Sequence, residues 1–158
     1  MKAMPTFLAP DKVFDKLGAL CVPRNVESGT VLFRQGDAPK EVYLVLQGDV
    51  ALTPVPTEPS LCRLAGPGAV LGLPANLSGR PYSVTAVSGE ACTIACVPRK
   101  QFVEAIRRDA EVTLGIVQML ASELSQMQNV GVQFRLAHLE ELESSNPERT
   151  RNAQKWPI

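Results

Sequence analysis

A chain of 158 residues, 45% hydrophobic and 20% charged, is long enough for one domain with a real core and leaves little over for a second. Its 16 Lys and Arg balance 16 Asp and Glu, so no global field draws it to nucleic acid or to an anionic membrane. No apolar run approaches the roughly 18 residues of a membrane span, and the first ten residues lack the unbroken apolar core of a secretory signal, so a soluble cytoplasmic chain is expected.

Between about residues 20 and 97 short apolar runs alternate with Gly, Pro and Asp, the pattern of an antiparallel sandwich or barrel. Val31-Leu32-Phe33 and Val42-Tyr43-Leu44-Val45-Leu46 each close on a Gly-Asp turn signal, Gly36-Asp37 and Gly48-Asp49. Pro54, Pro56 and Pro59 remove backbone donors from Thr53–Ser60, which is therefore expected to be an exposed loop between two strands. Gly66-Pro67-Gly68-Ala69-Val70-Leu71-Gly72 superficially suggests a dinucleotide fingerprint, but no βαβ unit surrounds it and the last spacing is wrong. It is expected to be a turn.

The four cysteines, Cys21, Cys62, Cys92 and Cys96, read as reduced, packed thiols. Strand periodicity over Ala91–Val97 puts Cys92 and Cys96 on one face but about 13 Å apart, too far to share a tetrahedral metal ion. From Lys100 the period changes to about 3.6: Phe102, Val103 and Ile106 share a face, and Glu104 sits four residues before Arg108. Asp109 then caps a pattern that runs from about Ala110 to Leu142, roughly 50 Å of helix. Within it Val117, Leu120, Leu124, Met127, Gly131 and Phe134 step by threes and fours, the seam of a two-stranded contact. Residues 1–142 are expected to form the domain, and 143–158 a polar flexible tail.

The stretch Val70–Val87 carries the most information. Its order, Gly72, a short segment to Ser78, Gly79-Arg80, then Pro81-Tyr82-Ser83, resembles the phosphate-binding cassette of the cyclic-nucleotide-binding domain in the cyclic-AMP receptor protein (Crp/Fnr) family. The turn Gln35-Gly36-Asp37 and the strand Tyr43-Leu44-Val45-Leu46-Gln47-Gly48-Asp49-Val50 are similar to that family's opening, and the resemblance covers most of Gly29–Met127. It implies a mainly β fold with flanking helices, an antiparallel jelly roll (double-stranded β-helix) followed by a long C-terminal dimerisation helix. In the family a Glu holds the ribose and an Arg the cyclic phosphate; here Leu73 and Tyr82 stand in those places. Pro74 removes a further donor, Ala75 follows it in the short helix, Ser83 keeps the small hydroxyl residue, and Arg80 is offered to a displaced anion or to solvent as a turn residue. Loss of the Arg alone is expected to weaken cyclic-nucleotide affinity by orders of magnitude, and Leu73→Glu with Tyr82→Arg to recover some of it.

Catalysis has little to stand on. The single His138 lies in the long helix, far from the sandwich, and cannot supply the several His ligands of a cupin-type metal site. No cofactor and no metal are expected. The sequence thus points to a stand-alone regulatory or sensor module, homodimeric, with a small-molecule ligand other than cyclic AMP or a protein partner. A ligand-free dimerisation adaptor and a regulator working through a DNA-binding partner chain are the alternatives. Only sixteen residues follow Leu142, too few for a helix-turn-helix, so this chain alone is not expected to bind DNA specifically.

Overall fold

A computed structural model describes residues 7–54 and 62–145. The chain divides into two compact units, Met1–Glu123 and Leu124–Ile158. The first begins with α1 (Asp11–Gly18), to which the sequence reading assigns no element. Eight residues with no side-chain cap at Pro10 give little periodic signal; the helix is held by burying Val13 and Leu17.

Eight strands follow: β1 (Pro23–Val26), β2 (Val31–Phe33), β3 (Glu41–Gln47), β4 (Val50–Thr53), β5 (Arg63–Ala65), β6 (Val70–Leu71), β7 (Thr85–Ser88) and β8 (Cys92–Pro98). They form two four-stranded antiparallel sheets, ordered β1-β8-β3-β6 and β2-β7-β4-β5. Apolar alternation fixes the register: Tyr43 lies opposite Cys96, Leu44 opposite Ala95 and Val45 opposite Ile94. Ahead of α1, Leu8 bridges Ala69, which extends the first sheet past β6. The proline-rich connection between β4 and β5 falls on residues 55–61, outside the described residues, while the pairing of β4 with β5 agrees with two strands joined there.

The two faces of the first sheet feed two cores. Val42, Leu44, Ala95 and Val97 pack with α1 and the helices, whereas Tyr43, Val45, Cys92 and Ile94 pack between the sheets. Cys92, Ile94 and Cys96 share that inter-sheet face, as strand periodicity requires, and all four cysteines are free thiols.

Two helices complete the first core. In α3 (Arg99–Arg108) Phe102 is fully buried, and Glu104 pairs with Arg108 at 2.9 Å, as the spacing implies. The long helix α4 (Ala110–Ser145) runs past Leu142 to the last described residue. Asp109 caps it, its Oδ1 accepting from the N–H groups of Glu111 (2.9 Å) and Val112 (3.3 Å). Lys16 of α1 reaches both Asp109 (2.7 Å) and Glu111 (2.6 Å); the hydrogen bond from Lys16 is the main cause that holds the Asp109 carboxyl below its ordinary range.

The inward stripe of α4 is Val112, Ile116 and Met119, all buried, while Leu114, Val117 and Leu124 are more than half exposed. Leu120 departs from the seam read in the sequence: it packs against its own domain's core. Met127, Gly131 and Phe134 lie on α4, but their side chains, like that of His138, fall outside the described residues. Among the described residues no helix is long and apolar enough to cross a membrane.

Candidate functional site

The cassette is built on β6, the short helix α2 (Leu73–Ser78) and the loop that enters β7. Gly72 adopts φ +78° at the helix start, a conformation costly to any side chain, and a Cβ there would meet the Tyr82 ring at 2.8 Å. Pro74 sits in the first turn, exposed, where its missing N–H breaks no helical bond. Ala75 is buried beneath it.

Tyr82 turns inward. Its ring is 4% exposed and stacks on Phe33 at 4.1 Å, with Ala75, Leu71 and Tyr43 in the same cluster. Its hydroxyl donates to the Glu41 carbonyl at 2.7 Å and accepts from the N–H groups of Glu41 (3.2 Å) and Lys40 (3.3 Å). Backbone bonds from Tyr82 N to Asp37 O and from Gly36 N to Tyr82 O fix the loop on either side. Tyr82 is thus an aromatic plug whose polar tip is satisfied by backbone.

Leu73 is placed otherwise than its sequence position suggests. It is fully buried in the first core with Val42, Leu17 and Phe102, whereas Tyr82 belongs to the second. Leu73 therefore offers no apolar surface beside Tyr82; the first turn of α2 points it under the sheet. Arg80 and Ser83 are both exposed, and the Arg80 N–H bonds the Ser78 hydroxyl at 3.3 Å, the arrangement of a surface turn. The structure brings together Gly72, Ala75 and Tyr82, and leaves Leu73, Arg80 and Ser83 apart from them.

Three residues that the sequence reading passed over hold this arrangement. Asn76, fully buried, donates from Nδ2 to the carbonyls of Glu41 (2.9 Å) and Gly72 (2.8 Å), so the Glu41 carbonyl serves both Asn76 and Tyr82. Its Oδ1 has no hydrogen-bond partner. Arg99, first residue of α3, donates from Nε to the Asn76 carbonyl at 3.0 Å and so caps the C-terminal end of α2. An amide within an otherwise apolar short helix was the available signal for Asn76; nothing in the local sequence announced Glu41 or Arg99.

Electrostatics around the plug follow burial. The Tyr43 phenol donates to the Leu32 carbonyl at 3.1 Å and is pushed well above its ordinary pKa, by burial first and by the Glu41 carboxylate second. The Cys96 thiol is pushed up by burial, partly offset by the Arg24 guanidinium 3.1 Å away. Such a thiol is a weak nucleophile. Among the described residues no group of three or more His, Cys, Asp or Glu could hold a metal ion.

The family model for the cyclic nucleotide-binding domain matches residues 23–109, more than half of the chain and the whole of the cassette. Among solved structures, a Ruegeria pomeroyi protein described as a candidate cyclic nucleotide binding protein is 25% identical, with a TM-score of 0.56, over 79% of this chain and 56% of its own. The catabolite activator protein of Thermus thermophilus, 24% identical with a TM-score of 0.61, shares the fold over 84% of this chain and 62% of its own length. The patatin-like phospholipase domain-containing protein 7 of Rattus norvegicus is 26% identical over 104 residues, 64% of this chain but 8% of that protein. The chain thus spans less than two thirds of these relatives. With the two four-stranded antiparallel sheets, the flanking helices and the cassette scaffold in place, this chain belongs to the cyclic nucleotide-binding domain family.

Proposed function

We propose that this domain is a non-enzymatic regulatory or sensor module, with residues 1–142 as the working domain, whose cassette no longer takes cyclic nucleotides by the family's charged contacts. The observation that carries this reading is Tyr82: a buried, stacked ring with a backbone-satisfied hydroxyl fills the place of the phosphate-binding Arg. Leu73 provides no acceptor for a ribose, and a cyclic phosphate would lose its water without gaining a cation. The strand orders β1-β8-β3-β6 and β2-β7-β4-β5 support the jelly-roll description. Cyclic AMP and cyclic GMP are expected to bind no better than about millimolar. Isothermal titration of the unmodified chain decides it, and micromolar affinity for either nucleotide overturns the reading.

The output is proposed to run through α4 as a homodimer. Leu114, Val117 and Leu124, at 58%, 54% and 57% exposure, repeat at coiled-coil spacing on the side away from Val112, Ile116 and Met119. Light scattering after size exclusion is expected to give about twice the 17.1 kDa chain mass at tens of micromolar. Leu124→Asp, which puts a charge into that seam, should return the mass to that of one chain.

A further inference from the structure

The cassette has lost its cation, but the same inter-sheet space is faced by another. Arg63 opens β5, where alternation sets Leu64 outward and places Arg63 on the face of Ala65, a fully buried member of the cluster that holds Tyr82. Across the sheet Arg63 lies opposite Leu52, which packs on that cluster too. Its guanidinium faces Glu123 of α4, Nη1 to Oε1, at 3.7 Å.

That pair is poorly made for stability. Charge-assisted bonds between guanidinium and carboxylate close to about 2.7–2.9 Å, often in a two-pronged fork, whereas 3.7 Å is beyond hydrogen-bond distance. The Glu123 side chain is only 9% exposed, so it has given up most of its water, and among the described residues this loose contact is its one ion pair. Burial accordingly pushes the Glu123 carboxyl above its ordinary range, with Arg63 opposing only in part. A half-buried ion pair that repays its desolvation badly adds little to stability.

We infer that Arg63 is the anion receptor of this domain and that Glu123 is its built-in competitor: a small anion with an apolar body, its phosphate or carboxylate forked onto Arg63, displaces the Glu123 carboxylate and thereby loosens α4 from β5. The apolar body would meet Leu52, which lies opposite Arg63 and is only partly buried against the cluster. A guanidinium suits either oxyanion, since both present two coplanar oxygens to its donors. The inference rests on the reading of the domain as a ligand sensor, and it goes further by naming the receptor residue and the ligand's charge.

The test is titration of phenyl phosphate and of benzoate into three proteins: unmodified, Glu123→Gln and Arg63→Gln. Glu123→Gln keeps shape and removes the competing charge, so it should bind at least one probe about tenfold more tightly than the unmodified chain. Arg63→Gln should abolish that binding, and Arg63→Lys should restore only part of it because a point charge cannot fork. Equal affinity in Glu123→Gln and the unmodified chain, no binding by Glu123→Gln, or unchanged binding by Arg63→Gln overturns the inference. Circular dichroism and thermal melts on the same samples show that each variant is folded. Cyclic-nucleotide titration of Arg63→Gln beside the unmodified chain reads the cassette without Arg63, so failure at Arg63 and failure of the sensor reading are separable.

Discussion

Leu73→Glu combined with Tyr82→Arg, the two changes that would write the family's charged contacts back into the cassette, will unfold this chain rather than give it a cyclic-nucleotide site. The sequence alone argues the opposite, because it shows only which positions correspond. Leu73 is fully buried among Val42, Leu17 and Phe102, so a carboxylate there is an unpaired charge in an apolar core, at a cost of several kcal/mol on top of the lost packing. Tyr82→Arg removes the Phe33 stack and leaves the Lys40 and Glu41 N–H groups and the Glu41 carbonyl to find other partners. A net stability of about 5–15 kcal/mol, typical of a domain, does not absorb both. Urea denaturation followed by circular dichroism should show the double variant unfolded, or nearly so, without denaturant. Tyr82→Phe separates the terms: it keeps the ring, strands the same backbone groups, and should cost about 1–3 kcal/mol. A cooperative double variant with an unchanged midpoint and micromolar cyclic-AMP affinity would show that the cassette can open to accept the charges.

Gly115→Ala is expected to destabilise the first unit, against its helix propensity. Helix propensity alone favours Ala over Gly by about 1 kcal/mol. Here a Cβ would collide with Val13 Cγ2 and lie 3.3 Å from Val13 Cβ, because α1 packs directly on the α4 backbone at that point. Valine has essentially one favoured rotamer on a helix, and turning it leaves its own Cβ too close, so α1 itself must move. Overpacking of this kind costs about 1–3 kcal/mol or more, and sterics should outweigh propensity. The shift would also strain the contacts of Lys16 with Asp109 and Glu111, which hang on the same helix pair. A melting temperature lower by several degrees is expected, given about 2–4 °C per kcal/mol for a chain of this size. Val13→Ala should rescue Gly115→Ala in a double-mutant cycle, with a coupling of about 0.5–3 kcal/mol; strict additivity would mean that the two residues do not meet.

Much of the architecture was legible without coordinates because it is written in local period. Alternating apolar residues between Gly-Asp turns specify antiparallel strands, the switch to threes and fours after Lys100 specifies two helices, and Asp109 between them is a cap by its side chain alone. The cassette was legible for the same reason: Gly72, Gly79 and Pro81 are backbone requirements, and backbone requirements survive when side-chain chemistry changes. Helix α1 escaped because eight residues with two buried apolar positions carry too little period to be distinguished from a loop.

The sequence by itself determined the sheets, the long helix and the cassette scaffold, since each depends on residue type at a fixed spacing. Tertiary structure decided which way those residues face. The turn at Gly72 sends Leu73 into one core and the loop at Pro81 sends Tyr82 into the other, so neighbours in the motif are not neighbours in the site. It also decided that Asn76, Glu41 and Arg99 hold the cassette, and that Arg63 and Glu123, sixty residues apart, meet beside the inter-sheet core. Periodicity reports a face, but only the packing of one element on another chooses its partner, and long-range partners leave no mark on a single sequence.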